Sequence, residues 1–329
     1  MPKISLALST LYSDLAQRVH SRALRAGSPF VMNVKGRAYA YVKRQIGSTR
    51  RDDYVGPVDD AKAQAQIELI RQAQEQEKQD RQTIRLLVRS GIPAPSKELG
   101  RVLDALSEAG IFADATLIGT AAYQCYSPII GHELPSPTLT TGDADLATAR
   151  LAIRSLPEGE TILDVLRRAE PTFAPVHALS NRKAPSSAFR ARDGFMVDLV
   201  PQQRTRRDPN PIPIEGAGAV PLQFVRWLIT DPITAVALFG TGVAVRIPQP
   251  ARFAIHKLIL AQERRDDQRA KRRKDLLQAR ALVEALRESD PYALADAYDD
   301  ASGQGKRGWA KKIERSLSEL QISVAEIIG

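Results

Sequence analysis

The sequence predicts an α+β protein: a mixed β-sheet flanked by helices, with an N-terminal helix and β-hairpin region before it and a helical C-terminal extension after it. Three observations carry that expectation. Between residues 96 and 249, short apolar runs alternate with amphipathic helical patterns, which suits a sheet covered by helices. Pro250 opens a stretch in which apolar residues recur at helical spacing to the end of the chain. Residues 1–95 differ in kind, with one amphipathic helix, a strand-like basic region and a long polar helix. The expected division is therefore 1–95, 96–249 and 250–329.

Each element has its own signal. In residues 4–26, Leu6, Leu8, Leu11, Leu15 and Val19 lie near helical spacing. From 30 to 54, Tyr39 and Tyr41 alternate with smaller or polar residues and Gly36 and Gly47 mark turns, predicting a three-stranded sheet that ends at Gly56 and Pro57. That sheet carries Lys35, Arg37, Lys43, Arg44, Arg50 and Arg51. A basic sheet bearing tyrosines suits a nucleic-acid surface. It equally suits a solvated hairpin packed on the rest of the protein, and this second reading is preferred because the pattern names no known reader. Residues 59–89 form a long, mostly polar helix that bridges two bodies or pairs with another helix. Its sparse apolar positions argue against a strong coiled coil, and the oligomeric state stays open. Gly91, Pro93 and Pro95 end it.

Ser96 caps a helix over 96–108, with Leu99, Val102, Leu103 and Leu106 on one face. Residues 112–118 read as a short apolar strand, a second strand ends near Asp143 and Asp145, 160–169 is a helix and 195–200 a third strand. A hairpin over 235–247 turns at Gly240, Thr241 and Gly242. The helix from Pro250 holds Phe253, Ile255, His256, Lys257 and Leu258. A second helix, from about residue 267, begins with the basic run Arg269, Lys271, Arg272, Arg273 and Lys274, and a third carries Trp309, Ile313, Leu317 and Leu320.

Bulk properties narrow the partners. The net charge of +9 over 329 residues favours polyanions such as nucleotides or nucleic acid, while saying nothing about fold. Cys125 is the only cysteine, so no intramolecular disulfide forms. The histidines His20, His132, His177 and His256 have no paired spacing, which argues against a structural zinc site. No apolar run approaches the ~20 residues that span a bilayer, and residues 1–6 lack a signal-peptide core. The expectation is a cytoplasmic protein without a membrane partner.

The chemistry-bearing residues come in a fixed order. Gly119 and Thr120 directly follow the apolar run 112–118; a glycine there lets backbone approach a phosphate, and the threonine adds a hydroxyl and an N–H. Asp143 and Asp145 sit at i and i+2 in Thr141-Gly142-Asp143-Ala144-Asp145-Leu146, a spacing that points both carboxylates to one side of a strand. Asp198 lies alone in Met196-Val197-Asp198-Leu199-Val200, where a carboxylate is costly unless exposed, paired or on a metal. A carboxylate pair with a third from a separate strand suits Mg²⁺, or Mn²⁺, and a phosphate-holding turn suits a nucleoside triphosphate. Asp-x-Asp pairs also occur in plain turns, where each carboxylate caps a nearby N–H.

These segments resemble the polymerase-β-type nucleotidyltransferase superfamily. Together with Leu117-Ile118-Gly119-Thr120-Ala121-Ala122-Tyr123 and Pro250-Ala251-Arg252-Phe253-Ala254-Ile255-His256-Lys257-Leu258, they are similar over about 96–290 to a bacterial branch of nucleotidyltransferases. The resemblance implies a mixed sheet with a helical extension, metal binding by Asp143, Asp145 and Asp198, triphosphate binding by Gly119 and Thr120, and a phosphate contact by Lys257. Alone, Lys257 reads equally as a surface lysine. The chain departs from the pattern in three ways: Gly-Thr stands where Gly-Ser or Gly-Gly is common, a long proline-containing insertion follows Thr120, and residues 1–95 lie outside the superfamily core.

The reading that follows is a Mg²⁺-dependent enzyme moving a nucleoside monophosphate from an NTP to a hydroxyl on an RNA end, a protein or a small molecule, with a toxin or defence role by analogy alone. The alternative is a nucleic-acid- or protein-binding module on a degenerate transferase fold. The basic run from Arg269 either holds a backbone or triphosphate or, as preferred, is a solvated face paired with Asp266, Asp267 and Asp275.

Overall fold

The computed structural model describes residues 1–22, 27–46, 49–135, 148–153, 161–177, 186, 188–201, 212–214, 217–219, 224–304 and 309–328. Near the N-terminus, α1 (Leu6–Ser21) starts at Ser5, whose hydroxyl accepts from the Leu8 N–H, and buries Tyr12, Leu15 and Val19. β1 (Ser28–Val34), β2 (Arg37–Ile46) and β3 (Thr49–Pro57) form the expected antiparallel meander. α2 (Ala61–Arg89) begins at Asp60, whose carboxylate accepts from the Ala63 N–H at 3.1 Å. Gly56 of β3 is a close-approach glycine: a Cβ there comes within 2.9 Å of the Ala63 Cβ, so α2 lies directly on one face of the meander. Ala40, paired with Gly56 in register, and Val42 are buried on that face.

The central body holds a mixed sheet. α3 (Lys97–Glu108) is capped by Ser96 as expected, through the Leu99 N–H at 3.2 Å. A 3-10 turn at Ile111–Ala113 takes the first half of the run expected as strand, leaving β4 as Ala115–Ile118. Then come α4 (Thr120–Tyr123), α5 (Ser127–Ile130), β5 (Thr148–Ile153), α6 (Ile162–Ala169), β6 (Ala174–Val176), β7 (Ala188–Arg190) and β8 (Met196–Pro201). The strand order is β4-β5-β8-β7-β6, with β5 and β8 parallel and every other neighbouring pair antiparallel. After a small pair, β9 (Ile212–Ile214) and β10 (Ala217–Ala219), and the short α7 (Val225–Leu228), the hairpin β11 (Ile233–Ala237) and β12 (Val243–Ile247) turns where the sequence placed it.

Of the insertion expected after Thr120, residues 121–135 are described, and they pack into the body. Tyr123 and Tyr126 are fully buried and pack on Phe253, and the Tyr126 hydroxyl donates to the Pro248 carbonyl at 2.8 Å. Apolar area, not the prolines, decides this segment's place. Residues 136–147 lie outside the described chain.

The hairpin joins the N-terminal elements to the body. Tyr12, Leu15 and Val19 of α1 and Ile84 and Leu87 of α2 share a buried cluster with Val236 and Leu238. The Tyr12 hydroxyl bonds both backbone groups of Val236, donating to its carbonyl at 3.3 Å and accepting from its N–H at 3.0 Å. Buried Asp80 receives Arg18 at 2.9 Å and Arg22 at 2.6 Å, and Arg22 also donates to the Thr241 hydroxyl at 2.9 Å.

The C-terminal helices are α8 (Pro250–Glu263), α9 (Arg269–Ser289), α10 (Pro291–Gly303), α11 (Trp309–Glu319) and α12 (Ala325–Ile328). α10 had no signal of its own in the sequence reading. α8 is buried on nearly every side and contacts α9, α10 and α11. Buried Asp275 of α9 takes the Lys257 ammonium at 2.6 Å and the Arg264 guanidinium at 2.9 Å. The pairing expected between Asp275 and the basic run is thus corrected: its partners come from α8 and the residue after it, and Arg272 of the run pairs instead with Glu319 of α11.

Burial pushes the Asp275 carboxyl up, but the Lys257 and Arg264 charges outweigh it and hold the group below the usual aspartate range. Asp275→Asn strands two cations, one of them buried, and is expected to cost about 3–5 kcal/mol in urea unfolding. A carboxyl depressed by folding adds stability that is complete above its unfolded value of ~3.9 and vanishes as pH falls through the folded value. The gap between parent and variant should therefore narrow below about pH 4; a gap unchanged into acid refutes the assignment. Tyr12→Phe, which leaves the buried Val236 backbone groups without their partner, should cost about 1–3 kcal/mol by the same measurement.

Candidate functional site

β4 delivers the glycine turn. Its four residues are all buried, and Gly119 follows at φ 73° and ψ −154°, a region open essentially to glycine alone. No atom lies within 4 Å of a Cβ built there, so backbone conformation and not crowding demands the glycine. Thr120 then begins α4, with the Tyr123 N–H bonded to the Gly119 carbonyl at 3.1 Å. Gly119 and Thr120 are both half-buried. α4 has a single turn, so a helix dipole contributes little there; what the turn offers is local backbone N–H groups and the Thr120 hydroxyl.

Sheet register brings Asp198 to the same end. β4 runs antiparallel to β5 with Ile118 opposite Arg150, and β5 runs parallel to β8 with Arg150 opposite Asp198. Ile118, Arg150 and Asp198 therefore lie in one row across three adjacent strands, with Gly119 one residue beyond it. Val197 and Leu199, on either side of Asp198, are buried at 0% and 1% exposure, whereas Asp198 is half-buried on the opposite face. Its strand neighbours anchor it from the opposite face.

Asp143 and Asp145 lie outside the described residues. β5 starts at Thr148, three residues after Asp145. Among the described residues no group of three His, Cys, Asp or Glu side chains converges on a common point.

Lys257 is not a surface lysine. It is 6% exposed, its ammonium lies 2.6 Å from Asp275, and it sits 5.2 Å from the centroid of the Phe253 ring. The cation that the resemblance assigns to phosphate is engaged with a carboxylate. Phe253 in turn packs against Tyr123, tilted at a centroid distance of 5.9 Å, and edge-on against Tyr126 at 5.2 Å, two rings that follow the Gly119 turn. Cys125, between these tyrosines, is buried and its thiol is pushed up to about 12 by that burial, so it is no thiolate nucleophile.

Sequence reasoning passed over Arg150, which β5 sets beside Asp198 in register. The signal available was its place just after the Asp pair, at the head of a strand; only the parallel pairing with β8 makes that place meaningful.

A nucleotidyltransferase family model matches residues 97–303, from the first residue of α3 to the last of α10. The match takes in Gly119, Thr120, Asp143, Asp145, Asp198 and Lys257, and it covers well over half of the chain. Neither the curated proteins nor the solved structures give a match. No helix among the described residues is long and apolar enough to cross a membrane. With the glycine turn and Asp198 at one end of a mixed sheet inside the matched segment, the chain belongs to the nucleotidyltransferase family.

Proposed function

We propose that the protein is a Mg²⁺-dependent nucleotidyltransferase, with Mn²⁺ as a substitute, that moves a nucleoside monophosphate from an NTP to a hydroxyl acceptor. The acceptor hydroxyl oxygen bonds to the α-phosphorus, the bond to the β-phosphate oxygen breaks, pyrophosphate leaves and the hydroxyl proton is lost. The observation that carries this reading is the shared sheet end of the Gly119–Thr120 turn and Asp198, on adjacent rows of β4, β5 and β8, inside the family-matched segment.

Asp143, Asp145 and Asp198 would hold the metal, whose hard oxygen donors they are; Asp198 is half-buried between the buried Val197 and Leu199. The bound ion supplies charge neutralisation and activation of the hydroxyl. Thr120 and the backbone after Gly119 donate to triphosphate oxygens. Lys257 acts at one remove, setting α8 and Phe253 behind the turn. In this reading 96–249 carries the chemistry and 250–329 braces it. The acceptor is an RNA end, a protein side chain or a small molecule, and a toxin or defence role rests on family analogy.

The test is label transfer from each of the four α-³²P NTPs to cellular RNA and protein, with and without Mg²⁺. Asp198→Asn, folded by circular dichroism, should lower transfer by a hundredfold or more, on the order of losing one preorganised electrostatic contact or metal ligand. Asp143→Ala/Asp145→Ala should abolish it. Chelation should stop transfer and added Mg²⁺ restore it. Undiminished transfer by both variants sinks the carboxylate assignment.

Gly119→Ala forces a side chain into a glycine-only conformation and should cost about 1–3 kcal/mol in stability, with a fall in kcat/KM. Thr120→Val keeps the shape and removes the hydroxyl, so it should raise KM for the NTP with little change in Tm. An unchanged KM removes Thr120 from the triphosphate site.

A further inference from the structure

The N-terminal meander has two unlike faces. One carries Ala40, Val42 and Gly56 and lies on α2. The other collects rings from all three strands. Register sets Phe30 opposite Tyr41 and Tyr41 opposite Tyr54, with Tyr39 two residues before Tyr41 on the same face. Phe30 and Tyr41 are stacked with centroids 5.7 Å apart, Tyr41 and Tyr54 meet edge-on at 5.4 Å, and Tyr39 lies 6.0 Å from Tyr54. Tyr54 is 57% exposed, and the other three rings are half-buried. A face turned away from the core has no packing use for four rings in a row.

The charge on that face is cationic. Arg37 lies over the Tyr39 ring at 6.0 Å and Lys43 over the Phe30 ring at 5.4 Å. By alternation Arg50 and Asp52 share this face, joined by a 3.3 Å bond, and Arg37 reaches Asp59 at 3.6 Å. Three cations stand there against one strand carboxylate, and the meander as a whole has six cations, Lys35, Arg37, Lys43, Arg44, Arg50 and Arg51, against Asp52 and Asp53.

We propose that this face binds a single-stranded polynucleotide, its bases stacking on Tyr39, Tyr41 and Tyr54 and its phosphates meeting Arg37, Lys43 and Arg50. Rings accept bases of any identity because every base has a π-face, and flanking cations follow the backbone. A duplex hides its base faces, so the platform suits single strands. Charge complementarity chooses a polyanion, since Arg37, Lys43 and Arg50 face Asp52 alone among the strand carboxylates of that face. The solvated-hairpin alternative is met by the geometry: among the described residues the tyrosines lie on the face opposite α2, while Ala40 and Val42 are buried on the face that packs on it. That the bound strand is also the acceptor rests on the transferase reading; binding itself does not.

The experiment is fluorescence anisotropy with labelled RNA, DNA and RNA-duplex probes of about 12 nucleotides, using the full chain carrying Asp198→Asn so that nothing turns over. Single strands, as RNA, DNA or both, should bind more tightly than duplex, and the RNA and DNA arms name the preferred sugar. Tyr41→Leu/Tyr54→Leu should weaken binding about tenfold or more, while Tyr54→Phe, which keeps the ring, should bind like the parent. Lys43→Gln should lower the salt dependence by about one phosphate contact between about 50 and 200 mM salt. Circular dichroism and Tm guard against misfolding; a purely structural role for the rings would lower Tm and leave binding by the surviving fold unchanged. No binding, equal binding of duplex, binding unchanged in the folded double variant, or a dimer that Tyr54→Leu dissociates in sedimentation each overturns the proposal. Binding without transfer in the parent chain refutes only the transferase reading, and transfer without strand binding refutes only this one.

Discussion

The buried carboxylate of Asp275 is the constraint on which the rest of the body turns. It fixes Lys257 and Arg264, and so joins α9 to α8 and to the residue just beyond it. Lys257 lies over Phe253, Phe253 packs on Tyr123 and Tyr126, and these two rings follow directly from the Gly119–Thr120 turn. An ion pair of this kind gains little stability over an apolar replacement, because desolvation consumes most of the attraction. What it supplies is a single register of α8 against α9, since a one-turn slip leaves two cations facing apolar surface. The Gly119–Thr120 turn thus inherits its position from a charge pair 18 residues apart in sequence.

A second charge cluster does the same for the N-terminal elements. Asp80, fully buried on α2, holds two arginines, one in α1 and one just past its end, and Arg22 carries the link on to Thr241 at the tip of the β11–β12 hairpin. Around it the apolar cluster of Tyr12, Leu15, Val19, Ile84 and Leu87 closes on Val236 and Leu238. α2 then reaches from this anchor to the meander, where Ala63 seats against Gly56. The long helix is a strut: its buried residues lie at Ala63 and again from Glu77 to Leu87, with exposed and half-buried residues between.

Much of this was legible in the sequence where local chemistry decides. Ser96, Pro250, the meander's turn glycine Gly36 and the hairpin tip at 240–242 announce themselves because a cap or a positive φ needs particular residues. The short strands β6 and β7, three residues each, do not, because nothing within three residues distinguishes a strand from a loop until a partner supplies its hydrogen bonds. α10 was missed for a related reason: its mixed acidic and alanine pattern gives a weak apolar stripe, and Pro291 at its start reads as a stop as readily as a first turn. The partners of Asp275 were misjudged because charges close in sequence looked like partners, while the true ones lie across a helix interface. Gly119 and Asp198 were visible as residues, but their convergence was not.

That convergence depends on one parallel pairing in an otherwise antiparallel sheet. An antiparallel β4–β5 pair places the end of β4 beside the start of β5. Running β8 parallel to β5 brings the start of β8 to that end too, so Asp198, third residue of its strand, comes level with Ile118 rather than with Ala115 at the far end. A parallel pair needs a crossover, and the chain between β5 and β8 supplies one that contains α6, β6 and β7. β7 and β6, both from that crossover, extend the sheet beyond β8, so β8 is an interior strand with β5 on one side and β7 on the other. An interior strand is held on both edges by backbone hydrogen bonds, which fixes the backbone from which Asp198 projects. The residues of the site are therefore ordinary; the mixed topology is what gives them a common end.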